Sequence, residues 1–258
     1  MGGYGLDHVF LRVRSRVCSE VTRSWTDSTG PDDAGAAAVV ELLDPTGERP
    51  GRVLTAVGEP GRVAALLGTV TPGDTVRGVA VTRGTGALAG EIFSGWGLGP
   101  ASTWDRMVAE TAPDMPGADG AVVELLDLDR DTDEIADLLT QANPSTRQGV
   151  HAPAARRARW YGVRTVSRSA GLRAGALVAA GSATPVPTGA VHLGSIGTLP
   201  AARGRGYGSA LTARMTADGV AEQGLVTLGL HDDNVVARRV YARLGFVLAH
   251  EVETWHRV

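Results

Sequence analysis

Leu199-Pro200-Ala201-Ala202-Arg203-Gly204-Arg205-Gly206-Tyr207-Gly208 joins a strand-like run, Ala190 to Thr198, to a helical run, Gly206 to Gln223. In the second run Tyr207, Leu211 and Met215 stand four apart, hence on one helix face. Glycines in the turn remove Cβ atoms and let backbone approach a ligand closely. The first amides of a helix lack intrahelical partners and carry partial positive charge. A strand, a glycine turn and a helix N-terminus therefore make a pyrophosphate site, to which Arg203 and Arg205 add charge. A dinucleotide fold wants G-x-G-x-x-G after the first strand of a βαβ unit; this turn is G-x-G-x-G and follows several adjacent strands. A phosphate-loop NTPase needs a lysine, and the chain has none.

Working outward, Leu225 to Leu230 reads as the next strand, and Val236, Val240 and Leu244 mark a helix after it. That helix lies within Asn234-Val235-Val236-Ala237-Arg238-Arg239-Val240-Tyr241-Ala242-Arg243-Leu244-Gly245-Phe246, where Ala237 and Tyr241 share a face. Phe246 to His256 is a terminal strand or strand pair. Upstream, Ala121 to Leu126 reads as a strand and Thr132 to Ala142 as a helix, with Asp131, Asp133 and Glu134 at its positive end. Ala154 to Trp160 reads as a short helix. Tyr161 to Ser167, Ala174 to Ala183 and Ala190 to Thr198 read as successive strands, with turns at Ala170-Gly171 and Pro185 to Gly189. The order β-α-α-β-β-β-α-β-α-β implies an α/β sheet with helices on both faces. Arg156, Arg157, Arg159, Arg164 and Arg168 crowd one stretch, either a solvated face or a phosphate-facing edge.

The chain has 258 residues, 43% hydrophobic and 21% charged, with a formal charge of −3; nothing there points to nucleic acid or an anionic membrane. One cysteine, Cys18, excludes an intrachain disulfide and suits a reducing compartment. No stretch approaches the roughly 20 apolar residues of a membrane span, and Met1 to Asp7 has no basic residue, so the expectation is cytoplasmic. Arginine without lysine, among many Ala and Gly, suggests a GC-rich bacterial genome.

Thr111 to Gly120 reads as a linker, which divides the chain into residues 1–115 and 116–258. Ser28 to Gly35 reads as a loop. His8 to Val17, Val39 to Leu43 and Val76 to Val81 are strand candidates, and Arg62 to Leu67 one or two helical turns. Trp25, Trp96 and Trp104 read as packing residues. Val39 to Asp44 recurs as Val122 to Asp127, a chance echo or the mark of two related halves.

Together the two motifs resemble the Gcn5-related N-acetyltransferase (GNAT) superfamily. Arg203, Gly206 and Gly208 match its Q/R-x-x-G-x-G/A signature; Asn234, Ala237, Tyr241, Gly245 and Phe246 match N-x-x-A-x-x-x-Y-x-x-x-G-F. The part from Val191 through Tyr241 also resembles the FR47-like branch, and the leading region resembles extensions on some actinobacterial members. The resemblance implies a GNAT fold, a mixed, mostly antiparallel sheet flanked by helices, over 116–258. A smaller α+β domain, a degenerate GNAT-like or cap domain, would precede it. It implies acetyl-CoA as acyl donor, no metal, and a small-molecule amine acceptor for a monomer or homodimer. Ile196, Gly197 and Thr198 would pair with the pantetheine, and Arg203, Gly204, Arg205, Gly206, Tyr207 and Gly208 would hold the pyrophosphate. Asn234 would contact the cofactor arm, and Tyr241 would protonate the departing thiolate. No acid lies between Val191 and Pro200, where many relatives carry the base. His192 is the titratable group on that strand, as base or as structural histidine, with Glu251, Glu253 and His256 as reserves. A catalytically silent acyl-CoA sensor on the same fold is the alternative. Arg83-Gly84-Thr85-Gly86 in the first part is expected to lack both the helix and the second signature.

Overall fold

In the computed structural model the described residues are 20–28, 33, 36–44, 51–72, 76–114, 122–142, 150–151, 153–166, 173–186 and 189–258. Strands β1 (Glu20–Thr26), β2 (Ala38–Asp44) and β3 (Gly51–Val57) lead into helix α1 (Pro60–Leu67). Then come β4 (Val76–Thr82), α2 (Gly86–Gly95), β5 (Leu98–Ala109), β6 (Val122–Leu126) and α3 (Leu128–Ala142). A 3-10 turn, Pro153–Arg157, precedes β7 (Arg159–Arg164), β8 (Leu177–Val186) and β9 (Ala190–Thr198). A second, Pro200–Ala202, leads to α4 (Tyr207–Gln223), β10 (Val226–His231), α5 (Val235–Arg243) and β11 (Val247–Arg257). No described helix is long and apolar enough to cross a membrane.

These elements form two compact units. The first holds the described residues up to Met107 with Leu230–Val235 and Leu248–Val258; the second holds Val108–Gly229 and Val236–Val247. The division is therefore not a cut at residue 115. β11 pairs antiparallel with β4, from Val252↔Thr82 to His256↔Gly78, and so carries the end of the chain into the first unit.

In the first unit the strand order is β1-β2-β3-β4-β11-β5. β1, β2 and β3 are antiparallel neighbours and β3 runs parallel to β4. β2, β3 and β4 are nearly continuous apolar runs because both sheet faces are covered. Val63 and Leu67 of α1 and Ala89 and Phe93 of α2, each pair four apart, pack with Val39, Leu54, Val79 and Val81. Ala38, Val40, Leu42, Val57, Ala80 and Val252 make a second cluster on the opposite face, by strand alternation. Trp25 and Trp96 pack on the first cluster and Trp104 on the second. Glu41 of β2 is fully buried but bonded by Thr22, Arg23 and Arg52. Burial pushes its carboxyl up, yet these partners outweigh burial and bring it down to about 2.

In the second unit β6, β7, β8 and β9 form an antiparallel meander, and β10 joins β9 in parallel. Ile135, Leu138 and Leu139 of α3 pack with Leu126, Trp160, Leu177 and Ala180. α4 lies on the opposite face: a Cβ on Gly181, the next residue of β8, would meet Met215 Cε at 2.9 Å.

Several expectations change. Leu128 to Asp131 join α3, because Asp127 N donates to the Asp131 carboxylate 2.8 Å away and fixes the helix start. Trp160 belongs to β7, not to the preceding turn, since its ring fills the α3 core. β8 runs through Pro185 to Val186. β3, α2 and β5 are additional elements, and α2 starts at Gly86, so Arg83-Gly84-Thr85-Gly86 does open a helix. Arg156 meets Asp129, Arg159 meets Glu222, and Arg164 meets Glu124, Asp131 and Glu134: these arginines are tied to carboxylates rather than lining a phosphate edge. His8 to Val17, Arg168 and Ala170-Gly171 lie outside the described residues.

Candidate functional site

β9 and β10 pair only at Val191↔Val226, His192↔Thr227 and Leu193↔Leu228. β9 itself continues to Thr198, held by β8 through Thr198↔Ala179. Beyond Leu193, the edge of β9 that β10 had covered has no strand partner among the described residues. The departure coincides with a bulge: the β8–β9 register shifts between Ala180 and Ser182, and Ser195 has φ 51°, a left-handed value unusual for a residue with a Cβ. Ser182 Oγ, buried, donates to Gly194 O at 3.0 Å and fixes the bend. Such a splayed strand presents main-chain donors and acceptors that a linear amide-bearing ligand can pair with.

At the end of β9 the chain makes its 3-10 turn and reaches the glycine corner. Gly204 and Gly206 have φ 79° and 81°, and α4 begins at Tyr207. Gly206 is the N-cap and has no side chain with which to cap the first amides. Gly208 permits close packing: a Cβ there would stand 3.0 Å from Thr198 Oγ1. Arg203 Nε donates to Thr198 O at 3.3 Å and Nη2 to Ala142 O at 3.0 Å, so its guanidinium braces the corner against the last residue of α3. The corner combines helix-end amides, two left-handed glycines and cationic side chains, a donor set that fits a pyrophosphate.

Tyr241, on α5, is half-buried, with its ring 5.9 Å from that of Phe246. Burial pushes its hydroxyl up to about 12. His192 is buried in the paired part of β9, and its Nδ1 lies 3.0 Å from Thr227 Oγ1 on the paired residue of β10. Asn234 precedes α5, and its backbone N–H donates to His231 O at 3.0 Å. Ile196, Gly197 and Thr198 follow the bulge, and Gly197 faces α3, where a Cβ would meet Ala142 and Leu139.

The second unit thus brings His192, the Ile196–Thr198 edge, the Arg203–Gly208 corner and Tyr241 into one fold. The reserve carboxylates are engaged in the first unit: Glu251 pairs with Arg83 at 2.9 Å, and Glu253 accepts from Gly86 N. Sequence reasoning missed Ser182, Ser195 and Thr227. Gly194 and Gly197 inside a strand pattern were the available signal, since glycine there marks bulges. Among the described residues no group of three or more His, Cys, Asp or Glu is arranged to hold a metal ion.

The sequence model of the acetyltransferase (GNAT) family matches residues 132–246. No curated protein matches the chain. Solved structures similar to it include a GCN5-related N-acetyltransferase from Kribbella flavida, 17% identical with TM-score 0.60, over 100% of this chain and 96% of that one. A putative GNAT-family acetyltransferase from Novosphingobium aromaticivorans is 18% identical with TM-score 0.51, over 99% and 100%. A GCN5-related N-acetyltransferase from Sphaerobacter thermophilus is 18% identical with TM-score 0.52, over 88% and 82%. At these identities the structures establish likeness of fold, and the family match covers the segment that carries both motifs. Residues 132–246 match the model of the acetyltransferase (GNAT) family, and the chain shares its fold with the solved structures of that family.

Proposed function

We propose that the protein is an acetyl-CoA-dependent N-acetyltransferase that moves an acetyl group directly to the amine of a small molecule. The observation that carries this reading is the edge of β9, which loses its strand partner just before the uncapped glycine corner of α4. A pantetheine arm takes the free edge, and the pyrophosphate takes the amides beyond Gly204. The amine nitrogen attacks the thioester carbonyl carbon, the carbon–sulfur bond breaks, and sulfur leaves as a thiolate. A main-chain N–H of the 194–198 edge polarises the carbonyl oxygen. Tyr241, protonated at neutral pH as any tyrosine is and held so to higher pH by the burial that raises its hydroxyl to about 12, donates to the departing sulfur. His192, oriented by Thr227, takes the proton that the amine sheds. Aligning amine and thioester supplies much of the rate, up to about 7–11 kcal/mol in favourable systems.

The test is a screen of primary amines with acetyl-CoA, read as free thiol released. Acceptor-dependent thiol release supports the reading. Acetyl-CoA binding without release across antibiotics, amino acids and polyamines would leave a sensor on the same fold.

A further inference from the structure

Among the described residues, the first seven helices and strands of the chain repeat the order of the last seven. β1-β2-β3-α1-β4-α2-β5 follows the sequence of elements in β7-β8-β9-α4-β10-α5-β11. The pairing senses agree: β2–β3 and β8–β9 are antiparallel, while β3–β4 and β9–β10 are parallel. The counterpart of the glycine corner is therefore the turn between β3 and α1, at Gly58 to Arg62. It is not Arg83 to Gly86, which corresponds to the turn between β10 and α5. Nor do the echoed segments correspond: Val39 to Asp44 lies in β2, whose counterpart is β8, whereas Val122 to Leu126 is β6.

The two corners differ in one chemical respect. Glu59 is the N-cap of α1; its Oε1 accepts from Gly61 N at 3.0 Å and its Oε2 from Arg62 N at 2.9 Å. The helix-end amides that the second unit leaves uncapped are here taken by the chain's own carboxylate. These bonds hold the Glu59 carboxyl below its ordinary value, so it stays ionised at neutral pH. Arg62 is itself clasped by two carboxylates: Nε and Nη2 donate to Asp27, Nη1 and Nη2 to Asp33. A pyrophosphate arriving there would have to displace one anion beside two more. The other glycine corner is filled in the same way, since Glu253 accepts from Gly86 N.

We propose that the chain holds one acyl-CoA site, in the second unit, and that the first unit is a related half whose phosphate corner is closed by Glu59. This rests on the function proposed above. Hydrogen–deuterium exchange of the full chain with saturating acetyl-CoA tests it, beside calorimetric stoichiometry. The expected result is one equivalent of acetyl-CoA per chain, slowed exchange in peptides over 199–211, and no change over 58–67. Glu59→Ala should lower the melting temperature and leave acetyl-CoA affinity within about twofold, because it loosens α1 and touches no ligand. Two equivalents per chain, or slowed exchange over 58–67, would overturn the closed-corner proposal while sparing the proposed activity. No binding at all by the folded chain would overturn both.

Discussion

Arg203 Nη2 donates to the main-chain oxygen of Ala142, 3.0 Å away, and so ties the glycine corner to the C-terminal end of α3. A cation there meets the negative end of the helix dipole. The side chain read from the sequence as a phosphate contact is, in the structure, a brace. Replacing it should cost both stability and ligand affinity. Arg203→Ala is expected to lose roughly 0.5–1.5 kcal/mol of stability and to weaken acetyl-CoA binding several-fold. Denaturation midpoints and titration of the same preparation check both effects. Unchanged binding would leave Arg203 as a brace alone.

Gly206 adopts φ 81°, which costs an L-residue about 1–2 kcal/mol. Gly206→Ala should lower stability by that order and shift the first amides of α4. Gly208→Val adds a clash with Thr198, since even a Cβ stands at 3.0 Å from its Oγ1. Both variants should lose acetyl-CoA affinity by more than tenfold while remaining folded by circular dichroism.

Tyr241→Phe keeps the ring beside Phe246 and removes the proposed proton donor. The expected outcome is a fall in kcat of about 10²–10⁴-fold with little change in acetyl-CoA affinity. The hydroxyl is raised to about 12, so its protonated form persists up to that pH. The pH–rate profile should show no alkaline loss assignable to Tyr241 below about pH 11. His192→Gln should remove the acidic limb if His192 is the base. A profile unchanged by His192→Gln would make the Thr227 contact purely structural.

Glu41 is lowered from its ordinary 4.5 to about 2. A depressed carboxyl stabilises the fold above its unfolded value, and the effect is lost as pH falls through the folded value. The first unit should therefore lose on the order of 3 kcal/mol between about pH 4.5 and pH 2 through this residue. Melting curves across that window, compared with Glu41→Gln, measure it. The variant should be less stable at pH 7 and flatter below pH 4.5.

β11 belongs to the first unit through its pairing with β4, the Arg83–Glu251 bridge and the Phe93–Trp255 ring contact at 5.0 Å. Deleting residues 248–258 should therefore unfold the first unit, although those residues are the farthest from it in sequence. Loss of near-ultraviolet dichroism in the truncated chain checks this.

The sequence made the second unit legible because its glycine corner and the Asn234–Phe246 segment are local patterns. Ala190 to Thr198 was bounded correctly by its apolar run and by Pro200. The bulge at Ser195 was less visible, because left-handed backbone at a serine is imposed by β8 and Ser182 rather than by local preference. The first unit was hard to read for a physical reason. β3 and β5 lack a strict alternation, and α2 is an Ala/Gly-rich ten-residue helix with only Ala89 and Phe93 buried. The placement of β11 beside β4 is a long-range pairing that no sequence window contains.

In the proposed function, acetyl-CoA occupies the corner at Gly204 to Gly208 and the edge of β9 before it. Calorimetric titration of the wild type beside Gly206→Glu, which sets a carboxylate on the phosphate position, tests it most directly. The wild type should bind saturably, with about −8 kcal/mol if the affinity is micromolar. A folded Gly206→Glu should not bind. Equal binding by both proteins, or none by a folded wild type, would contradict that placement of acetyl-CoA.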